Sequence, residues 1–284
     1  MSNELALLDD FENMTPEEMM ALSGQSASES GASFDDHFLK ASINLKRKIN
    51  DKAAPNPAYQ FYADGSQTFL TDDVEFIFLG KGYLYRVYDS QLEEYTIQSQ
   101  IVDKYYNVDI MDTAGGFNAG NMGYLDKDQF EGLTESQRKT HLAAKRTIKI
   151  HALVRGKGKT LDGEPVDLDE WTPVSLYVSR SVAPAYEDVF KQFTKARIPA
   201  FLKVVKLDDL DIGMAGSFEI GVPKFKIDME SSVDVGMVKP HIKERLMEIE
   251  AHNEWVQREH LSAHKENNEK ALDVKFVEIM NEDD

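Results

Sequence analysis

The sequence predicts a mainly β fold with α additions, followed by a long helix. Two patterns carry this. Residues 74–79, 83–88, 147–154, 174–178, 198–207 and 218–227 are short runs rich in β-branched and aromatic residues, and 147–154 alternates cleanly. From residue 238 to 271 the period becomes helical, with Ile242, Leu246, Ile249, Asn253 and Val256 recurring along one stripe.

The elements follow in order. Residues 1–36 hold nine Asp and Glu, no Lys or Arg, and a serine-rich tract, a composition too polar to order itself. Thr15-Pro16-Glu17-Glu18 is a capping box for one short helix in this acidic arm. Lys46-Arg47-Lys48 is a basic cluster, and Pro55 and Pro57 help set the arm at residues 1–58. The β-rich domain is expected over 59–232. Within it, 74–88 reads as a hairpin turning at Gly80-Lys81-Gly82. Residues 113–123 are a glycine-rich loop, 126–144 a helix and 156–170 a hairpin loop. A helix over 186–196 puts Val189, Phe190 and Phe193 on one face. A helical extension over 233–272 and an acidic tail over 273–284 complete the expected order.

Composition narrows the function classes. The 284 residues include no cysteine, which removes disulfides, a Cys-ligated zinc site and a thiol nucleophile. The first residues show no basic start or apolar stretch, and no run approaches the roughly 20 apolar residues that span a bilayer. A soluble, cytoplasmic protein without membrane contact is expected. The net charge of −18 is unevenly spread: 138–205 hold thirteen basic and seven acidic residues, whereas 206–284 hold ten and nineteen.

The sequence offers no catalytic set, and no enzyme, cofactor or metal is expected. Gly158-Lys159-Thr160 has the tail of a phosphate-binding loop, but Leu153 stands where that loop needs its first glycine, so it reads as an exposed turn. His260 and His264 are four apart, yet Leu261 replaces the glutamate of a zinc-protease helix. With His252 they read as a surface row. Asp208, Asp209 and Asp211, and Asp109 with Asp112, lack calcium-loop spacing and read as solvated acids. A metal-dependent nuclease built on these aspartates ranks last among the readings.

Binding chemistry is denser. Alternation in 147–155 puts Ile148, Ile150, Ala152 and Val154 on one face, and Lys149, His151 and Arg155 on the other, expected to face solvent. Lys145 and Arg146 precede this stripe, and Lys157 and Lys159 follow it, a set suited to a phosphate backbone. Tyr83, Tyr85 and Tyr177 on neighbouring strands are candidate stacking rings, worth ~1–3 kcal/mol per unpaired base. In the tail, Phe276, Glu278, Glu282, Asp283 and Asp284 combine an apolar grip with acid. Such a tail is suited to fold onto the basic groove, yield it to DNA and so become free for partner proteins.

A layout emerges from Leu133-Thr134-Glu135-Ser136-Gln137, the run from Lys145 to Val154, the strand 174–178, the helix 186–196 and the strand around Phe201. The chain then returns through Phe225 to the helix containing Asn253. Over about residues 70–250 this order resembles phage single-stranded DNA-binding proteins of the OB-fold type. The resemblance implies an OB-like antiparallel β-barrel of five or more strands and a protein that coats single-stranded DNA in replication or recombination. It also implies that replication or recombination proteins are recruited through the acidic C-terminus, and homo-oligomers are compatible with that role. Many such tails end in an aromatic residue, whereas this chain ends Asn281-Glu282-Asp283-Asp284. Acidic flanks and a long polar helix also suit a viral structural or assembly protein, a scaffold or decoration protein, and that alternative stays open.

Overall fold

The computed structural model describes residues 38–44, 48–49, 52–53, 58–63, 66–89, 91–92, 94–104, 110–115, 127–179, 182–215 and 218–281. The strands are β1 (Leu39–Asn44), the short β2 (Lys48–Ile49) and β3 (Lys52–Ala53), β4 (Ala58–Ala63), β5 (Ser66–Asp89), β6 (Glu94–Gln98), β7 (Lys145–Thr160), β8 (Pro165–Ser179), β9 (Val204–Ala215) and β10 (Phe218–Asp228). The helices are α1 (Lys127–Glu131), α2 (Glu135–Ala143), α3 (Ala183–Ala196) and α4 (Val235–Asn281). The helix expected over 126–144 is therefore two, broken at Gly132.

Eight strands form one mainly antiparallel sheet with neighbours in the order β10–β9–β5–β4–β1–β8–β7. β6 pairs with β5, β7 also lies along β5, and β2 and β3 form a separate two-stranded sheet. β1 runs parallel to β8, from Leu39 opposite Val174 to Ala41 opposite Leu176. β1, β4, β5, β7 and β8 adjoin in chain order, a meander, whereas an OB fold has a Greek key. β1 and the buried Phe38 also belong to this body, ahead of the domain start expected at residue 59.

The hairpin expected over 74–88 is instead part of a single 24-residue strand, β5. Gly80, Lys81 and Gly82 sit opposite His151, Ile150 and Lys149 of β7. A register shift between Phe78 and Gly80 changes the side-chain parity. Phe76 and Phe78 before it, and Tyr83 and Tyr85 after it, therefore reach the same core. Gly82 serves close approach, because a Cβ there would overlap the Ile101 side chain. Gly158-Lys159-Thr160 is likewise not a turn. β7 runs to Thr160 between β5 and β8, with Gly158 opposite both Leu70 and Val166, and the reversal lies in 161–164.

Two cores form on opposite faces. On one, Tyr186, Val189, Phe190 and Phe193 of α3 pack against Phe76, Phe78, Ile148 and Ile150. The Phe78 ring lies 5.5–5.8 Å from those of Phe76, Phe190 and Phe225. On the other face, Ile77, Leu79 and Leu153 meet Phe38, Phe201 and Val233, together with Val238 and Ile242 of α4. Each such side chain contributes about 1.5–3 kcal/mol when fully buried. β5 and β7 are thus covered on both sides in their centres. No helix among the described residues is long and apolar enough to cross a membrane.

Candidate functional site

The basic stripe expected to face solvent is divided by α4. Lys149 is 2% exposed and His151 0%, both beneath the helix. Lys149 Nζ pairs with Glu248 Oε1, and His151 Nε2–H donates to Glu248 Oε2 at 3.1 Å. Alternation sorted these residues onto one face correctly, but a second layer closes that face. Arg245 donates to the Lys81 carbonyl at 3.0 Å, and His252 Nε2–H to the Ser99 carbonyl at 2.8 Å. Asn253 binds both the N–H and the carbonyl of Ile101, at 2.7 and 2.9 Å, as a neighbouring strand would. His260 Nδ1–H donates to the Asp112 carbonyl at 2.9 Å. The histidines are therefore not a surface row: His252 is buried, His260 is half-buried, and both tie α4 to the segment that crosses beneath it.

Burial sets the charge state of this cluster. It pushes His151 down to about 4, against the pull of the Glu248 hydrogen bond. Burial raises the Glu248 carboxyl, but the His151 hydrogen bond and the charges of His151 and Lys149 outweigh it and bring it to about 2. Burial likewise takes His252 to about 4. At neutral pH both histidines are uncharged, and Lys149 is the full positive charge in contact with Glu248.

The other expected residues are dispersed. Tyr83 and Tyr85 lie in the first core, which removes them as open stacking rings. Arg146 pairs with Glu187 and sits 5.1 Å over the Tyr83 ring. Arg155 donates to Glu75 through Nε and Nη2, at 2.7 and 2.5 Å, and lies 4.4 Å over Trp171. Lys157 pairs with Asp167 at 3.2 Å, while Lys159 is exposed. Arg155 and Lys157 line a cleft of about 460 Å³ with Lys206, but Asp73, Glu75 and Asp167 line it too. The side chains of Phe276 and Glu278 on α4 lie outside the described set. Glu282, Asp283 and Asp284, the capping box at 15–18, Lys46, Arg47, Asp109 and most of the glycine-rich loop lie outside the described residues.

An open cluster does form at the far end of β5. The Arg86 guanidinium lies between two rings, 4.1 Å from that of Tyr95 and 4.3 Å from that of Tyr177. Tyr88 meets Tyr95 edge-on at 5.3 Å, and these two rings are 40% and 41% exposed. Lys145 stands directly opposite Arg86 in the β5–β7 register, which puts both on one face. Neither cation has a carboxylate partner among the described residues, and Arg86 Nε has no hydrogen-bond partner there. Burial lowers the Arg86 pKa, opposed by Tyr95 and Tyr177. The site set expected from sequence includes Tyr177 and Lys145 but misses Arg86, Tyr88, Tyr95 and Glu248. A signal for the α4 cluster existed: Arg245 and His252 fall in step with Ile242 and Val256 on the apolar stripe.

Among the described residues, no group of three or more His, Asp or Glu is placed to hold a metal ion. Asp209 and Asp211 instead share Lys224, at 3.7 and 2.7 Å. Asp112 is buried, which raises its pKa, and accepts the N–H of Ala114 at 2.8 Å. No family model, curated protein or solved structure matches this chain.

Proposed function

We propose that this protein binds single-stranded nucleic acid, in the first instance single-stranded DNA, at the open cluster of Arg86, Tyr88, Tyr95, Tyr177 and Lys145. The observation that carries this reading is the Arg86 guanidinium held between two tyrosine rings, with no carboxylate partner among the described residues. Unpaired bases stack on exposed rings whatever their sequence, and unpaired cations beside the rings receive phosphates. In this reading the barrel-like frame is β1, β4, β5, β7 and β8, whose pairings run from β5 round to β7, which also lies along β5. The role is coating single strands during replication or recombination, with the acidic C-terminal segment recruiting partner proteins.

The test is a titration of fluorescein-labelled oligo-dT with the full chain at low salt, read by anisotropy. Tyr95→Ala is expected to weaken binding by ~1–3 kcal/mol, about 5- to 150-fold. Two phosphate contacts predict a slope of log K against log salt of about −1.4 on a single strand. No binding at low salt, or wild-type affinity in a Tyr88→Ala/Tyr95→Ala variant, would sink the reading.

A further inference from the structure

The stripe does not stop at Tyr177. Lys149 stands opposite Tyr177 in the β7–β8 register, with Nζ 5.3 Å from its ring. His151 follows two residues on, on the same face. One face thus carries Tyr88, Tyr95, Arg86, Tyr177, Lys149 and His151, open at the tyrosine end and covered at the other.

The cover is not held uniformly. Val238 and Ile242 anchor the start of α4 in an apolar core. From Glu248 onward the contacts are mostly polar: Glu248 on Lys149 and His151, His252 on Ser99, Asn253 on Ile101 and His260 on Asp112. Ala251 and Val256 are the fully buried apolar side chains described in that stretch.

We propose that the turns of α4 from Glu248 onward are a proton-released cover over the inner half of the stripe, and that a nucleic-acid strand and protons open it together. The cover stands on the geometry of the interface; its coupling to a strand rests on the binding reading above.

Burial under α4 disfavours the protonated form of two histidines, His151 and His252. Lys149 on β7 and Glu248 and Arg245 on α4 are the charged groups facing His151. Lys149, Glu248 and Arg86 face His252. Covered, each histidine is held at about 4; uncovered, each returns toward the ordinary value of about 6.5. The folded values are depressed, so closure is favoured above pH ~6.5 and weakened as pH falls toward ~4. Between about pH 7.5 and 5.5 the open form gains about tenfold per histidine, about a hundredfold for both. Glu248, held at about 2, titrates below this window. Opening frees Lys149 and a protonated His151 beside Tyr177, where a phosphate replaces the Glu248 carboxylate. By reciprocity, a strand that needs the open form takes up protons as it binds.

Hydrogen exchange on the full chain tests the cover, using protection factors that remove the intrinsic pH dependence of exchange. From about pH 7.5 to 5.5, amides of residues 248–264 are expected to lose about a hundredfold in protection while those of 148–154 keep theirs. His151→Gln reduces the loss to about tenfold, and His151→Gln/His252→Gln abolishes it. Equal wild-type protection at both pH values overturns the cover, as does an undiminished loss in the double variant. Should the variants not fold, ring titrations of His151 and His252 near pH ~6.5 in the wild type overturn it equally.

Oligo-dT titrations at fixed ionic strength test the coupling. Affinity is expected to rise on acidification in the wild type and not in the double variant. Binding without that rise overturns the coupling and leaves the binding reading intact. Absence of binding at both pH values, with α4 still loosening in acid, removes the nucleic-acid reading and its coupling and supports the cover.

Discussion

Replacing Glu248 by Gln keeps the size of the side chain and its capacity to hydrogen-bond, but strips the counter-charge from Lys149. The lysine is 2% exposed, so water cannot take the place of the carboxylate. Breaking a buried pair by removing one partner costs ~3–5 kcal/mol. The depressed Glu248 carboxyl, held at about 2, points the same way, to roughly 3 kcal/mol at about 1.36 kcal/mol for each pKa unit. His151 is neutral at pH 7, so Lys149 alone opposes the carboxylate with a full charge, which makes this second figure an upper one. A loss of about 3 kcal/mol is expected, read as a fall of about 1 M in the urea midpoint for a slope near 3 kcal/mol/M. The companion variant Lys149→Met/Glu248→Gln removes both charges, keeps an amide oxygen to accept the His151 N–H, and is expected within about 1 kcal/mol of wild type, since no unpaired charge stays buried. A Glu248→Gln protein within about 0.5 kcal/mol of wild type would refute the pairing, and so would a double variant as unstable as the single.

Four further outcomes follow from the same contacts. Global stability is expected to be level above pH ~6.5 and to fall toward pH ~4, by about 3 kcal/mol for each of His151 and His252, because their folded values lie below the unfolded one; thermal melts across pH check this. Phe78→Ala empties the centre of four aromatic neighbours and should cost ~3–5 kcal/mol in urea unfolding. Gly158→Ala should loosen the β5–β7 pairing around Leu70, because its Cβ meets the Phe69 backbone, which cannot swing aside; amide exchange at 68–70 reports it. Asn253→Ala leaves the Ile101 N–H and carbonyl without their partner and should cost ~1–3 kcal/mol, with faster exchange of the Ile101 amide.

Much of the fold was legible because periodicity is local. The alternation of 147–154, the Val189, Phe190 and Phe193 face of α3 and the stripe from Ile242 to Val256 all appear where the pattern put them. Glycines misled, for a physical reason. Gly80, Gly82 and Gly158 are compatible with turns, but here they serve a register shift and close backbone approach, which depend on chains distant in sequence. Long-range cover misled in the same way. Period 2 tells which residues share a face of β7, and nothing in residues 147–155 tells that α4 lies over it. The polar residues in step with the apolar stripe of α4, Arg245 and His252, were the available sign that a buried polar partner was needed on the sheet.

Pairing state, more than position, then separates the cations that hold the fold from those proposed to receive a ligand. With 50 acidic against 32 basic residues, a cation here has carboxylates in reach almost anywhere. Within the basic segment Arg146 takes Glu187, Lys149 takes Glu248, Arg155 takes Glu75 and Lys157 takes Asp167. Each pair spans two elements and spends its charge on holding them together. Arg86 is the contrary case, a guanidinium kept among tyrosine rings with no carboxylate partner among the described residues and with Lys145 beside it. Where neutralisation is the easy outcome, that is the state the proposed phosphate contact requires, and the acidic surplus makes it the more distinctive.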